Sequence, residues 1–143
     1  ISCLDDVDVD SLDALVLPGG FGAAKNLSDF AVAGAEAVVD QDVTRILRRV
    51  HENGKPIAAI CIAPAVVARA LGDLNPEVTI GNDTGTAGAI EHFGGKHINC
   101  PVEGFHVDRK NQIISTPAYM LGQRISDVHE GIANTIAELM RMI

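Results

Sequence analysis

The sequence predicts an α/β domain in which helices cover both faces of a mainly parallel sheet. Short buried strands alternate with helical segments along the chain, an order typical of parallel strands joined by right-handed crossovers. The core must be aliphatic, because 47% of the 143 residues are apolar while only 3% are aromatic. This composition suits a sheet covered on both sides, and the length fits one domain, residues 1–143.

The first half of the chain contains two predicted buried strands, each followed by a turn. Residues 14–17 form an apolar run that ends at Pro-Gly-Gly, and residues 56–60 form the second run. Between them, residues 39–53 have apolar side chains at helical spacing and stop at Gly54, which predicts a helix. A mostly apolar helix is predicted directly after the second strand, over residues 63–71.

The second half continues the alternation and ends in a long helix. We predict a third strand over residues 78–80, a short helix over 86–93, and a β-hairpin over 106–114 near the C-terminus. Residues 121–143 have the spacing of an amphipathic helix. Its predicted buried face consists of Leu121, Ile125, Val128, Ile132, Ile136 and Leu139.

The turn after the second strand contains a cysteine. Pro64 fits the first turn of a helix, which puts Cys61 at or just before the helix N-terminus. Free N–H groups and the helix dipole favour a thiolate there, so we predict a reactive cysteine held in a strained turn above the sheet edge. The alternative is a buried structural cysteine, the role that we expect for Cys3 and Cys100.

The loop after the first strand is rich in glycine. Gly19, Gly20 and Gly22 let the backbone bend sharply and expose its N–H groups. Carboxyl ends of parallel strands meet at one sheet edge, so we predict that the N–H groups of Gly20 and Ile62 stabilise an oxyanion beside Cys61. Two alternatives remain for this loop: a nucleotide-phosphate loop, which it matches only loosely, and a purely structural turn.

Charge and composition exclude several partners and cofactors. The formal net charge of −8 argues against nucleic acid and anionic membranes. An odd count of three cysteines without metal spacing predicts neither a metal site nor a disulfide framework, and therefore a reducing compartment. We assign no role to the histidines, which are His51, His92, His97, His106 and His129.

Three segments together resemble one family of proteins. They are PGGFGAAKNLSDFA from Pro18, GKPIAAICIAPA from Gly54 and ISTPAYML from Ile114. They resemble the ElbB-type proteins, named for enhanced isoprenoid biosynthesis, within the PfpI-like, class I glutamine-amidotransferase-like superfamily. The resemblance implies a flavodoxin-like three-layer sandwich with Cys61 as the nucleophile of the strand-to-helix elbow. It also implies a glutathione-independent glyoxalase that converts glyoxal to glycolate without metal or cofactor, and a homodimer.

The same family blocks supply further candidate site residues. The resemblance adds Gly19, Lys25, Asn26 and Tyr119 as candidates for substrate binding. The sequence departs from the family in two respects. The family's partner Glu lies in a front segment that has no counterpart here, so we expect a domain truncated at its N-terminus. Ile62, rather than His, follows Cys61, and no distal His-x-Glu occurs, so peptidase and glutaminase activities are disfavoured.

These observations predict an enzyme, and two alternatives stay open. The first prediction is cofactor-independent conversion of small dicarbonyls through Cys61. The main alternative is a redox-sensing or chaperone-like module whose cysteine oxidises reversibly. The other is a structural subunit of a larger assembly, which the apolar final helix suggests. We expect a cytoplasmic protein, with mitochondria or plastids as the options in a eukaryote.

Overall fold

A computed structural model describes residues 3–143 of the chain. Its strands are β1 (Leu15–Leu17), β2 (Ile57–Ile60), β3 (Glu77–Val78), β4 (Lys96–His97), β5 (His106–Asp108) and β6 (Ile113–Thr116). Its α-helices are α1 (Phe21–Asn26), α2 (Phe30–Ala33), α3 (Gln41–Glu52), α4 (Ala63–Ala70), α5 (Thr84–His92) and α6 (Ile125–Met142). Short 3₁₀ helices span Leu4–Asp6, Val9–Ser11, Gly34–Glu36, Gly72–Leu74 and Ala118–Met120.

The main sheet has four strands in the order β1-β2-β6-β5. β2 pairs in parallel with β1 and with β6, while β5 and β6 form an antiparallel hairpin. The predicted mainly parallel sheet and the C-terminal hairpin are therefore confirmed. Because β1, β2 and β6 run in the same direction, their carboxyl ends at Leu17, Ile60 and Thr116 lie along one edge.

Helices cover both faces of this sheet, as predicted. β2 is buried along its whole length, and its alternate side chains face opposite layers. Ile57 and Ala59 belong to the large cluster formed with α3 and α4, whereas Ala58 packs with Leu139 of α6. Each large aliphatic side chain buried in this way stabilises the fold by about 2 kcal/mol.

The predicted third strand lies outside the main sheet and is shorter than expected. β3 pairs in parallel with β4 to form a separate two-stranded sheet. Beyond Val78, side chains replace the backbone acceptors of a ladder. The N–H of Thr79 donates to Ser115 Oγ at 2.9 Å, and the N–H of Ile80 donates to His97 Nε2 at 3.3 Å. The strand ends where this substitution begins.

The final helix begins later than its apolar spacing predicts. The 3₁₀ helix Ala118–Met120 ends just before the predicted start, and residues 121–124 are not helical, so α6 begins at Ile125. Ile125 is the first residue of α6 and is 76% exposed, so it is not part of the buried face. Gly131 takes part instead, since a Cβ there would lie 2.1 Å from the carbonyl oxygen of Val102.

Within residues 3–143, no helix combines the length and the apolar character that crossing a bilayer requires.

Candidate active site at Cys61

Cys61 lies in a strained turn between β2 and α4. Its φ is 63°, in the left-handed region that a residue with a side chain rarely adopts. Its N–H donates to the carbonyl oxygen of Thr116 at 3.0 Å, which ties the turn to β6. Ile62 is the N-cap residue of α4, and Pro64 lies in the first turn of that helix. The thiol is half-buried rather than sealed in the core. The sharp turn predicted from the sequence is present.

The strain at Cys61 gives a testable difference in stability between two variants. We expect Cys61→Gly to be more stable than Cys61→Ala by about 1 kcal/mol, because glycine accepts this φ without a Cβ penalty. Urea unfolding of both purified variants would measure the difference. Ala133→Gly, at an exposed position within α6, serves as the control and should lose about 1 kcal/mol against wild type. Equal stability of the two Cys61 variants would show that the turn is unstrained.

The glycine loop packs directly on the cysteine turn. Gly19 and Gly20 have φ values of 81° and 80°, and Gly20 is the N-cap residue of α1. A Cβ at Gly19 would lie 2.3 Å from the carbonyl oxygen of Ile60 and 2.8 Å from Cys61 Cβ. The loop can approach the turn this closely only because Gly19 has no side chain. Part of the predicted loop is helical, since α1 begins at Phe21.

A cleft of about 630 Å³ opens beside Cys61 at the carboxyl ends of the parallel strands. Its walls are almost wholly apolar. The lining residues are Pro18, Gly19, Gly20, Phe21, Ala24, Phe30, Ala31, Ile60, Cys61, Ile62, Ala118, Tyr119, Met120 and Ile132. Among these lining residues, the polar side chains are those of Cys61 and Tyr119. The loops after β1 and β2 therefore meet at one cleft, with Tyr119 contributed by the segment after β6.

The backbone N–H groups around Cys61 differ in whether a hydrogen bond already occupies them. The N–H of Cys61 itself is occupied by Thr116. In the part of the chain that the structure describes, the N–H groups of Gly20 and Ile62 have no hydrogen-bond partner. Their role as oxyanion donors stays a prediction, and the structure places both residues in the lining of the cleft.

The remaining candidates divide between the cleft and the surface. Tyr119 lines the cleft and is 64% exposed. Lys25 and Asn26 lie exposed on α1 and are not among the lining residues. Phe21, Phe30 and the other apolar wall residues were not predicted as site residues, because hydropathy alone assigns such side chains to the core. The position of Phe21, next to Gly20 in the glycine-rich family segment, was the available signal that this side chain lies at the site.

Cys3 and Cys100, which were both expected to be structural, differ in burial. Cys3 is exposed, so the expected structural role for it is wrong, since an exposed side chain packs in no core. Cys100 is half-buried, and its Sγ donates to the carbonyl oxygen of Pro101 at 3.4 Å. Burial raises the pKa of the Cys100 thiol. Only Cys61 of the three lines the cleft.

A cluster of ionisable side chains lies around the hairpin. His106 Nε2 lies 3.0 Å from Glu77 Oε2, and Lys96 Nζ lies 2.8 Å from Glu77 Oε1. The hydrogen bond from Lys96, with a smaller contribution from His106, holds the pKa of Glu77 below its ordinary value. His106 is therefore engaged in a structural pair. Across residues 3–143, no group of three or more His, Cys, Asp and Glu side chains is placed to bind a metal ion.

Comparison with known proteins identifies the family. The family model described as the DJ-1/PfpI family matches residues 2–80, more than half of the chain. The chain belongs to the DJ-1/PfpI family. This family is class I glutamine amidotransferase-like, so the broader resemblance seen in the sequence is confirmed. The flavodoxin-like fold expected from that resemblance is confirmed as well.

Similarity to individual proteins extends over nearly the whole chain. The human mitochondrial protein named glutamine amidotransferase-like class 1 domain-containing protein 3 is 39% identical over 99% of this chain and 56% of its own length. The solved structure of an isoprenoid biosynthesis protein with an amidotransferase-like domain from Ehrlichia chaffeensis has a TM-score of 0.87. It is 34% identical, over 97% of this chain and 63% of that one.

A further relative has an enzymatic name. Deglycase TK1284 of Thermococcus kodakarensis is 38% identical over 59% of this chain and 47% of its own length. The chain spans about half the length of the curated relatives that it matches.

Proposed function

We propose that this protein is an ElbB-type, cofactor-independent glyoxalase that converts small dicarbonyls, such as glyoxal, to hydroxy acids through Cys61. The observation that carries the proposal is the placement of Cys61: a half-buried thiol in a strained turn, facing a cleft beside unpartnered backbone N–H groups. Family membership and the deglycase name of one relative support this general class of activity.

The chemistry begins with addition of sulfur to the aldehyde. The thiolate of Cys61 forms a bond to the aldehyde carbon, and the π electrons of the carbonyl move to oxygen. The N–H groups of Gly20 and Ile62 would stabilise that oxyanion, which is then protonated to give a hemithioacetal. A proton next leaves the former aldehyde carbon, and another is added to the neighbouring carbonyl carbon. This transfer produces a thioester of the hydroxy acid. Water cleaves the thioester, releasing the acid and the thiol.

The proton transfers need a base that the cleft walls do not offer. Among the described lining residues, Cys61 and Tyr119 carry the only ionisable side chains. The motif that holds the family's Glu is not among the 143 residues of this sequence. We therefore assign the addition step to Cys61 and the oxyanion to the two N–H groups, and assign the proton transfers to no residue of this chain.

Turnover of glyoxal tests the proposal. We expect the protein to form glycolate, detected by NMR, and expect Cys61→Ser to lower the rate by at least about 100-fold. Cys100→Ser and Cys3→Ser are the controls, since neither thiol lines the cleft, and both should retain wild-type rates. A Cys61→Ser variant with wild-type turnover would refute a covalent role for this residue.

A second function, redox sensing, is favoured by one observation. Among the lining residues that the structure describes there is no carboxylate or imidazole, the side chains that would serve as base for isomerising a substrate, whereas attack of a thiolate on peroxide needs no such base. The Cys61 sulfur would attack one peroxide oxygen, break the O–O bond and become a sulfenic acid, with release of water. Mass spectrometry after mild peroxide treatment separates the two functions. Selective oxygen gain at Cys61 without glyoxal turnover would favour sensing.

Oligomeric state and localisation also remain proposals. We propose a homodimer on the family resemblance, and size-exclusion chromatography with light scattering would test it. The human relative is named as mitochondrial, which supports the mitochondrial option for localisation over the cytoplasm.

A further inference from the structure

Thr116 makes two hydrogen bonds that together bear on Cys61. Its carbonyl oxygen accepts the Cys61 N–H at 3.0 Å, and its hydroxyl donates to the carbonyl oxygen of Gly104 at 2.8 Å. Resting on the function proposed above, we infer that Thr116 is a positioning residue, whose hydroxyl fixes the end of β6 so that its carbonyl keeps Cys61 in the strained turn. Thr116 is not among the lining residues of the cleft, so it acts through Cys61 and not on a substrate.

The strained backbone of Cys61 requires such a restraint. A residue with a side chain stays in the left-handed region only where the surrounding structure prevents it from relaxing. The hydrogen bond from Cys61 to Thr116 continues the pairing of β2 with β6, in which Ile60 is the last partner of Thr116, into the turn itself. Displacement of the Thr116 carbonyl would therefore release the turn.

The Thr116 hydroxyl anchors β6 at the point where the chain leaves the sheet. β6 ends at Thr116, and the 3₁₀ helix Ala118–Met120 follows almost at once. The side chain of Thr116 is completely buried, so its hydroxyl has no access to water as an alternative partner. Among the residues that the structure describes, no other donor reaches the carbonyl oxygen of Gly104. Loss of the hydroxyl thus unties the end of β6 from the segment before β5.

The segment that the hydroxyl holds also contributes to the packing around the cysteine turn. Val102, two residues before Gly104, packs against the same small buried cluster as Cys61. The cluster consists of Ile60, Ala118 and Val128. A change at Thr116 should therefore reach Cys61 by two routes, the backbone hydrogen bond and this shared packing. Both routes run through buried contacts, so the inference depends neither on the volume of the cleft nor on the chemistry of its walls.

Amide hydrogen exchange measures the restraint directly. Thr116→Val keeps the shape of the side chain and removes the hydroxyl, so the Cys61 amide should exchange about 5-fold faster than in wild type. NMR gives this rate relative to that of the Ile57 amide, which donates to the carbonyl of Gln112 at 2.9 Å at the other end of the same strand pair. A general loss of stability changes both rates, whereas release of the turn changes their ratio. Thr116→Ser restores the hydroxyl and should return the ratio to within about 2-fold of wild type.

Thr135→Val is the matched control. Thr135 is also completely buried, and its hydroxyl donates to a backbone carbonyl, that of Gly131, at 2.7 Å. Because both groups lie within α6, this variant removes a buried hydroxyl and leaves the hydrogen bond between β6 and the cysteine turn intact. It should leave the exchange ratio of Cys61 to Ile57 unchanged. Thermal melting of each variant checks that it folds.

The outcomes separate this inference from the proposed function. An unchanged ratio in Thr116→Val, an equal rise in Thr135→Val, or a rise that Thr116→Ser does not reverse would each overturn the inference. A rise that serine reverses supports it, even if wild type converts no glyoxal, a result that would count against the proposed function alone. Where glyoxal is converted, Thr116→Val should lower kcat about 5-fold and leave KM unchanged, because the nucleophile is misplaced while the cleft is kept. An unchanged kcat would overturn the positioning role.

Discussion

Replacing Gly19 with Ala is expected to destabilise the protein by about 3 kcal/mol or more and to change the alkylation rate of Cys61. The added Cβ would lie 2.3 Å from the carbonyl oxygen of Ile60 and 2.8 Å from Cys61 Cβ, too close for any accommodation without movement of the backbone. Since both contacts belong to the cysteine turn, that movement displaces the thiol. Urea unfolding and the alkylation rate of Cys61 would measure the two effects.

Gly20→Ala is the matched control for this experiment. Gly20 has nearly the same φ as Gly19, 80° against 81°, but open space surrounds the position of its missing Cβ. The variant therefore bears a similar backbone strain of about 1–3 kcal/mol without the collision. We expect Gly19→Ala to be the less stable of the two. Equal stabilities would show that the contact between the glycine loop and the cysteine turn is looser than its geometry indicates.

Removal of the buried carboxylate Asp108 is expected to lower the free energy of unfolding by about 3 kcal/mol. Asp108 is only 5% exposed. Its oxygens accept hydrogen bonds from the N–H of Glu77 at 2.9 Å, from Asn111 Nδ2 at 2.7 Å, and from the N–H groups of Lys110 and Asn111 at 3.1 Å each. Asp108→Ala leaves these donors unsatisfied between β3 and the hairpin turn. Asp13→Ala, at an exposed carboxylate, should change stability by less than about 0.5 kcal/mol.

The effect of Asp108 should depend on pH. Burial raises the pKa of Asp108, but the hydrogen bonds from Glu77 and Asn111 outweigh it, and the net pKa lies below the ordinary 3.8. The folded state thus binds this proton less tightly than the unfolded chain. The stabilisation is complete above the unfolded pKa and is lost as the pH falls through the folded pKa. Unfolding measured at neutral and acid pH should show wild type and Asp108→Ala converging towards acid. A constant difference would contradict this assignment.

The sequence predicted those features that depend on short local patterns. Buried strands such as β2 are continuous apolar runs, and Pro64 favours the first turn of a helix, so a sharp turn with Cys61 at or just before the helix N-terminus was predictable. The length of β3 was not, because its end depends on the side chains of Ser115 and His97, which are remote in sequence. Spacing also could not show that Ile125 lies beyond the packed part of α6.

The walls of the cleft were harder to predict than its nucleophile. Phe21 is apolar, and hydropathy treats an apolar side chain as core, whereas the structure leaves this ring 74% exposed. Exposure depends on how α1 lies against the cysteine turn, and that depends on Gly19. The family resemblance pointed to Tyr119 and to the polar neighbours Lys25 and Asn26, but only Tyr119 lines the cleft. Motifs thus indicate which segments meet, and packing decides which side chains face the ligand.

The backbone hydrogen bond from Cys61 to Thr116 has a consequence for how such a protein changes over generations. The sulfur is positioned by main-chain atoms: the amide of Cys61, the carbonyl of Thr116 and the bare backbone at Gly19. None of these three backbone contacts uses a side chain of the cleft wall such as Phe21 or Met120. Substitutions of wall side chains can therefore change the substrate specificity of the cleft while the sulfur keeps its position. The same fold can in this way come to serve different substrates.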